Sequence, residues 1–415
     1  MTDGVDRVSS MRNEANQTQK RACIVKLGYY ELRLLKRSAE TLAADGYQVD
    51  VICLRKKGEL AREALGGVKV YRLPGEHHRQ GIFRYFFEYS YYFILVSLVL
   101  SWLSLKKKYD VIEICSMPDF LVFAAIVPRL QRSKVILYLW ENMAQLFTST
   151  FNAQSNHPGV KLLQLIERMS AGWAHHIIVA DGILYKRVLE SHGVPGGKIT
   201  VIQNVPDDTI FNLESLPSAK NGQHFHVIVA ASHIKRYGVQ VLIKAMPLLI
   251  RDIPELRVDV TGDGEFRPEL EKLCCNLGVQ EWINFTGFIS YEDFLSYIAQ
   301  AQVGVAPMLY DVGMSNKVFE YFALGTPCVA SALPSLIATF NDDCILYYPP
   351  GNEKALAARI LELYLHPEKR ASMVRYGYEF YRKCQWQVMK QEYLRIYEEL
   401  LESKNGRRKN GKRRE

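Results

Sequence analysis

The densest group of chemically useful residues lies in the stretch Ser315-Asn316-Lys317-Val318-Phe319-Glu320. Ser315 suits a helix N-cap, Gly325 suits a helix stop, and Pro327 opens the next segment, so a short helix is bracketed between them. The first-turn N–H groups of a helix have no internal partner. Together with the positive end of the helix dipole they form a site for an anion such as a diphosphate. Lys317 would add a full charge there. Glu320, one turn further along the same face, could accept two hydrogen bonds from the cis-diol of a ribose. Taken alone, the same stretch also fits a surface helix with an ordinary i,i+3 Lys–Glu pair.

Such a helix needs a scaffold that aims its N-terminus into a cleft. Residues 23–27 form a strand-like apolar run, followed by Gly28, a helical pattern over 32–44, the stop Asp45-Gly46 and a second strand at 48–53. Further apolar runs fall at 68–73, 111–115, 135–140, 177–180 and 199–203. After Asn204-Val205-Pro206-Asp207-Asp208 the chain turns polar and small, then a second series starts at Phe225. It reads strand 225–231, helix 239–251, strand 256–261, helix 268–277, strand 283–286, helix 291–301, strand 303–307, helix 315–324 and strand 327–330. Strands alternating with helices predict parallel sheets covered on both faces, and two such halves bind ligands where their strand carboxyl ends face each other. The predicted fold is therefore α/β, with two facing Rossmann-like domains at 21–206 and 225–380. A linker at 207–224, a C-terminal helix at 381–403 and disordered ends at 1–20 and 404–415 complete the expectation. The aromatic residues of 371–403 recur near helical spacing and are expected to pack across the domains.

Of 415 residues, 52 are Lys or Arg and 44 Asp or Glu, a formal net charge of +8. Most of that excess sits after Ser403, so the folded body is close to neutral and no nucleic-acid partner is expected. The terminal basic run is either a solvated end or an attraction for anionic headgroups. Eight cysteines without C-x-x-C spacing read as buried thiols in a reducing compartment. The first twenty residues show no apolar signal segment, which predicts a cytoplasmic protein. Residues 82–105 are rich in Phe, Tyr, Leu, Val and Trp and precede Lys106-Lys107-Lys108. Arg84 and Glu88 interrupt the stretch, and it lies between two strands of one sheet. A helix on the surface of an anionic membrane is expected for 82–108, making the protein peripheral on the inner face of the cell membrane; a buried crossover helix is the alternative.

With these residues in view, the chain resembles retaining glycosyltransferase family 4, whose GT-B fold pairs two facing Rossmann domains. The resemblance runs from about Arg21 to Leu401. Residues 315–327 are similar to that family's donor-binding helix, and Arg236-Tyr237-Gly238-Val239 is similar to its basic turn after the first donor-domain strand. Tyr30-Glu31-Leu32-Arg33 and the helix after it resemble the opening β-α-β unit. Thr261-Gly262-Asp263-Gly264 resembles the glycine turn beside the donor base, and Val201-Ile202-Gln203-Asn204-Val205-Pro206-Asp207 the exit from the acceptor domain.

The resemblance implies Arg236 and Lys317 in the catalytic group; Glu141 joins them as the candidate to orient acceptor or sugar from the carboxyl end of a predicted strand, with a helix-capping carboxylate as the alternative. It implies donor contacts from Glu320, Ser315, Asn316, Gly238, Gly262, Gly264 and Asp311, and acceptor-side contacts from Gly28, Glu31 and Trp140. Three departures stand out. Many members place a second glutamate eight positions before the first, where this chain has Val312, leaving the adjacent Asp311 as a substitute. The glycine that starts the phosphate turn is Ala231. A histidine expected near Glu141 is replaced within Leu139-Trp140-Glu141-Asn142-Met143.

No D-x-D and no metal-ligand spacing occurs, so transfer from a nucleotide diphosphate sugar without a metal or other cofactor is expected, onto a saccharide or lipid-linked acceptor. A Rossmann oxidoreductase would need G-x-G-x-x-G at the first strand, and the Gly28 region lacks it. A solute-binding protein would need an export signal. A degenerate, partner-binding scaffold of the same fold is the remaining alternative.

Overall fold

The computed structural model describes residues 19–75, 82–151, 153, 154, 156–206, 223–311, 313 and 315–411. The first sheet contains β1 (Arg21–Lys26), β2 (Gln48–Leu54), β3 (Arg62–Leu65), β4 (Val68–Leu73), β5 (Val111–Cys115), β6 (Lys134–Leu139), β7 (His176–Val179) and β8 (Ile199–Val201). Their spatial order is β3-β4-β2-β1-β5-β6-β7-β8. All neighbours are parallel except the hairpin partners β3 and β4. Around this sheet lie α1 (Arg33–Ala44), α2 (Ile82–Lys106), a 3-10 turn (Asp119–Ala125), α3 (Ile126–Leu130), α4 (Met143–Phe151), α5 (Pro158–Trp173) and α6 (Ile183–Ser191).

The second sheet is parallel throughout, in the order β11-β10-β9-β12-β13-β14. Its strands are β9 (Phe225–Ala230), β10 (Leu256–Thr261), β11 (Ile283–Gly287), β12 (Val303–Ala306), β13 (Cys328–Ser331) and β14 (Ile345–Tyr348). Helices α7 (Val239–Asp252), α8 (Arg267–Leu277), α9 (Tyr291–Gln300), α10 (Asn316–Ala323), α11 (Pro334–Thr339) and α12 (Glu353–Leu365) connect and cover them.

Continuous apolar strands force this layering. In β1, Ala22 and Ile24 enter one core while Cys23 and Val25 enter another on the opposite face. With side chains alternating at period two, a strand apolar on both faces must be covered on both. Each sheet reverses its winding beside its first strand, between β1 and β5 and between β9 and β12. Those switch points open a crevice at the strand carboxyl ends.

Two closing helices, α13 (Pro367–Cys384) and α14 (Trp386–Gly411), break at Gln385 and return the chain to the first domain. There the Tyr393 and Tyr397 hydroxyls each donate to Glu113 Oε2 at 2.8 Å. Tyr397 also meets Tyr47 edge to face, and the Arg37 guanidinium lies 4.0 Å from the Trp386 ring centre. The expected packing of the closing aromatics across the domains thus takes a definite form. Helix α14 continues to Gly411, beyond the expected end at 403 and into what was expected as a disordered tail. Residues 1–18, 207–222 and 412–415, which carry the expected N-terminus, linker and chain end, lie outside the described residues.

His175 Nδ1 accepts from the Val135 N–H at 2.9 Å, and His176 Nε2 meets Thr200 Oγ1 at 3.0 Å. Both are structural, and burial holds His176 down to about 4. All eight cysteines are free thiols, and Cys275 alone is exposed.

Glu113 is wholly buried, and desolvation raises it to about 7 despite the two tyrosine hydroxyls that favour its charged form. Its folded-state value exceeds the free one, so the folded chain retains this proton longer than the unfolded chain. The corresponding stability is present at low pH and is lost as pH rises through about 7. Glu113→Gln, which cannot ionise, should therefore gain Tm relative to wild type between about pH 5 and pH 8, by about 2 °C or more. A Tm difference that stays flat with pH contradicts the assignment.

Candidate functional site between the two sheets

Helix α10 is held by its apolar face. Val318, Phe319, Tyr321, Phe322 and Ala323 are buried, and the Tyr321 hydroxyl lies 3.3 Å from Val305 O and 3.3 Å from the Ala230 N–H. Gly304 on β12 leaves room for that ring; a Cβ there would sit 2.6 Å from Tyr321 Cδ2. The helix ends on Gly325, at φ +64°, with the Thr326 N–H reaching back to Tyr321 O at 2.8 Å. Ser315 occupies the N-cap position, but its hydroxyl makes no capping bond. The Val318 N–H turns back to the Ser315 carbonyl at 3.1 Å, so among the described residues the cap leaves the N–H groups of Asn316 and Lys317 for other partners.

Glu320 sits on this helix with only 2% exposure. Its Oε1 accepts from the Tyr291 hydroxyl at 3.2 Å and lies 3.6 Å from an Arg33 guanidinium nitrogen. Arg33 comes from α1 of the other domain; it also donates to the Tyr291 hydroxyl at 2.9 Å and stacks 3.9 Å from that ring's centre. Lys317 Nζ is 2.9 Å from Glu320 Oε2, yet that oxygen has no aligned hydrogen bond. Lys317 is thus folded back on Glu320 and over the Phe294 ring at 4.4 Å. A buried carboxylate with a cation from each domain and one under-satisfied oxygen is poised to accept hydroxyl donors. Sequence reasoning overlooked the Arg33 and Tyr291 roles, since neither lies near Glu320 in the chain.

At the donor-domain switch point, Arg236 reaches across the cleft to donate to Thr150 Oγ1 on α4 at 3.1 Å, while its Nε is buried without a hydrogen bond. The three glycines expected at the donor have a backbone reason for being glycine. A Cβ on Gly238 (φ +77°) would meet Pro307 O at 1.8 Å, one on Gly262 (φ +113°) would meet Ala231 O at 2.2 Å, and one on Gly264 would meet His233 O at 2.5 Å. They let the loops after β9, β10 and β12 nest against each other at the crevice floor. His233 lies in that nest, fully buried, with neither ring nitrogen hydrogen-bonded; burial lowers its pKa and keeps it neutral.

The Asp311 carboxylate is held by backbone N–H groups of its own domain. Its Oδ2 accepts from the Ser335 N–H at 3.0 Å, tying the loop to the start of α11, and its Oδ1 lies 3.4 Å from the Gly313 nitrogen. Gly313 in turn presses on the acceptor domain, since a Cβ there would fall 2.1 Å from Asp181 Oδ1. Val312 lies outside the described residues. Asn316 forms the first residue of α10 at the cleft.

On the acceptor side, Glu141 follows β6 and is exposed, and the capping of α4 falls instead to Asn142, whose Oδ1 accepts from the Gln145 N–H at 2.9 Å. Glu141 is therefore spared for other contacts. The Trp140 ring lies 4.1 Å from Lys26 Nζ, the Trp140 backbone N–H donates to Ser116 Oγ at 2.9 Å, and the indole Nε1 is buried without a partner. Lys26 ends β1, donates to Ser116 O and is lowered by burial. Beside it, Asp119 has no exposure and no hydrogen bond to either carboxylate oxygen; burial, with Glu167 adding to it and Lys26 opposing, raises it to about 8. Lys26 and Asp119 were not foreseen, since each looks like an ordinary strand-end residue in sequence. Gly28 O accepts from the Leu54 N–H at 2.7 Å, and Glu31 is exposed and paired with Lys56 at 3.0 Å. Neither Gly28 nor Glu31 joins the Glu320 group.

Among the described residues no three His, Cys, Asp or Glu side chains converge as a metal site. Residues following strand ends in one domain thus meet their counterparts in the other, among them Arg33 with Glu320, Arg236 with Thr150, and Asp181 with Gly313.

Two facing doubly wound sheets with cations converging on a cleft define the GT-B class, and solved structures of that class superpose on most of the molecule. Sucrose-phosphate synthase from Thermosynechococcus elongatus matches with a TM-score of 0.74 at 17% identity, covering 92% of this chain and 100% of that one. The Anabaena HepE protein in complex with UDP matches with a TM-score of 0.69 at 15% identity, over 92% and 100% of the two chains. In sequence, residues 33–209 match the family described as Glycosyltransferase Family 4, and residues 225–366 match Glycosyl transferases group 1. This chain belongs to the family 4, group 1 glycosyltransferases. Among its relatives, the phosphatidyl-myo-inositol mannosyltransferase of Mycobacterium leprae is 27% identical over 169 residues, 40% of this chain and 44% of that enzyme. The chain thus matches less than half the length of that relative.

The nested glycines give a direct test of the crevice floor. Gly238→Ala adds a Cβ at positive φ against Pro307 O and should cost about 2 kcal/mol or more, read as a lowered Tm. A substitution at Gly172, where a Cβ meets nothing within 4 Å, is the control.

Proposed function

We propose that this protein transfers a sugar, with retention of anomeric configuration, from a nucleoside diphosphate sugar to a saccharide or lipid-linked acceptor. The observation that carries this reading is the buried Glu320 carboxylate one turn into α10, compensated from both domains and facing the crevice between two sheets. A ribose diol supplies the hydroxyl donors that its under-satisfied oxygen lacks. Once the ribose takes Glu320, Lys317 is released from its ion pair toward the diphosphate beside it. Family membership, the UDP bound in the HepE complex and the mannosyl transfer named for the mycobacterial relative support the same class of donor.

In the reaction, the bond from the anomeric carbon to the diphosphate oxygen breaks and its electron pair leaves with the nucleoside diphosphate. An acceptor hydroxyl oxygen bonds the same carbon from the same face, and its proton passes to the departing phosphate oxygen. The protein's part is to stabilise the charge that develops on the leaving group. Arg236 at the switch point, Lys317 and the open first turn of α10 supply that charge without a metal. Glu141, exposed after β6, orients the acceptor or the transferred sugar.

A thermal-shift series with UDP-, GDP- and ADP-sugars tests the donor site, because a ligand of the folded state alone must raise Tm. One nucleotide class should do so. Glu320→Ala should weaken that donor by about 1.5–3 kcal/mol, the worth of hydrogen bonds to a charged group. Lys317→Ala and Arg236→Ala should lower kcat by about 10²–10³ with a smaller change in KM. Donor affinity untouched by Glu320→Ala sinks the ribose assignment, and the absence of a shift with every donor favours a scaffold that has lost catalysis.

A further inference from the structure

Helix α2 presents an apolar stripe to solvent where a crossover helix should be polar. Its inner side is ordinary: Tyr92, Val96, Leu100 and Leu103 are buried against the sheet, and the Tyr92 hydroxyl donates to Lys26 O at 2.7 Å. Its outer side carries Phe87, Tyr91, Ile94, Leu98, Trp102 and Leu105, all exposed, with Phe87 and Leu105 each at 72% and Leu98 at 64%. Steps of three and four residues keep these side chains on one face. At 1.5 Å per residue the stripe is about 27 Å long. No charged residue falls between Glu88 and Lys106.

Helix α3 packs beside α2 and adds Ile126 and Leu130, 55% and 79% exposed, as a second ridge. Cations edge the patch. Lys106 Nζ lies 3.9 Å from the Trp102 ring centre and the Arg62 guanidinium 5.5 Å from it, with Lys108 and Arg132 exposed nearby in the chain. The one acid on α2, Glu88, is paired with Arg84 at 2.9 Å.

We infer that this face docks on the surface of an anionic lipid bilayer, with the outer side chains of α2 and α3 inserted among the headgroups. Residues 87–106 are long and apolar enough to cross a membrane, with a mean hydropathy of 1.3. Spanning is excluded by position. The inner face is built into the core, and the strands on either side, β4 and β5, belong to one sheet. A helix lying in the interface, with aromatics inserted and cations at the headgroups, satisfies both faces at once. Charge favours lipid over a second copy, because the cationic rim would find no unpaired acid on the same helix of a partner chain. The last residues of α14 and those after it add seven Lys and Arg from Lys404 onward, a further attraction to anionic headgroups. This surface is independent of the donor cleft, so docking and sugar transfer stand or fall separately.

Flotation of the full chain with phosphatidylcholine vesicles, with and without phosphatidylglycerol, tests the inference. The wild type should float with the anionic vesicles and far less with the neutral ones. Ile94→Glu with Leu98→Glu should cut the bound fraction about tenfold or more, and Lys106→Glu with Lys108→Glu about fivefold per lysine. Both variants change exposed side chains only, so circular dichroism, Tm and the donor-induced thermal shift should match wild type and separate lost docking from lost folding or lost donor binding. Three results overturn the inference: no flotation with anionic vesicles, flotation unaffected by the α2 substitutions, or a dimer in sedimentation that those substitutions dissociate.

Discussion

A carboxylate that is 98% hidden from water must be compensated from whatever surrounds it, and at Glu320 the compensation comes from both halves of the molecule. Lys317 and Tyr291 approach from its own domain and Arg33 from the other. The relative placement of the two sheets is therefore coupled to the state of one side chain. A ligand that supplies hydroxyl donors to Glu320 changes the balance of charges on both sides of the cleft. Binding and the geometry of the domains are linked through that exchange, since a ligand shifts a conformational equilibrium only by its differential interaction with the two arrangements.

The same economy of space operates in the loops beneath. The carboxyl ends of β9, β10 and β12 approach so closely that Gly238, Gly262 and Gly264 each face a carbonyl where a Cβ would stand. These glycines thus set the depth of the crevice floor. On the opposite wall, Lys26, Asp119 and Trp140 gather at the other switch point, with a carboxylate and an indole N–H that lack protein partners. Helix α13 packs on the second domain, and α14 crosses to the first, where it fixes itself on Glu113 through two tyrosines, on the core of the first sheet.

Much of the architecture was legible because apolar period and turn residues agree along the chain. The run 225–230, the helix at 239 after Gly238 and the bracket from Ser315 to Gly325 all follow from local rules. The short hairpin strand β3 was missed, since Arg62–Leu65 has almost no apolar pattern and owes its conformation to pairing with β4. Helices α4 and α5 also escaped notice, where glycine, proline and polar residues break the periodicity between 151 and 159. At the site, Lys317 and Glu320 were readable from one turn of helix. Arg33, Tyr291 and Asp181 were not, because their roles arise from contacts between segments far apart in sequence. The hydrogen bonds of Asp311 were hidden for the converse reason. Its neighbours Gly313 and Ser335 claim its carboxylate locally, which a motif comparison does not register.

Chemical turnover of the donor is the most direct test of sugar transfer at Glu320. Phosphorus NMR of a nucleotide sugar incubated with the purified protein follows the diphosphate as it is released. Free nucleoside diphosphate should accumulate with wild type, by slow hydrolysis or faster with an acceptor, and should fall by about tenfold or more with Glu320→Gln, which keeps the shape but removes the charge. A nucleotide sugar that stays intact across the UDP, GDP and ADP series, with and without saccharide and lipid-linked acceptors, would contradict the assignment of this cleft to glycosyl transfer.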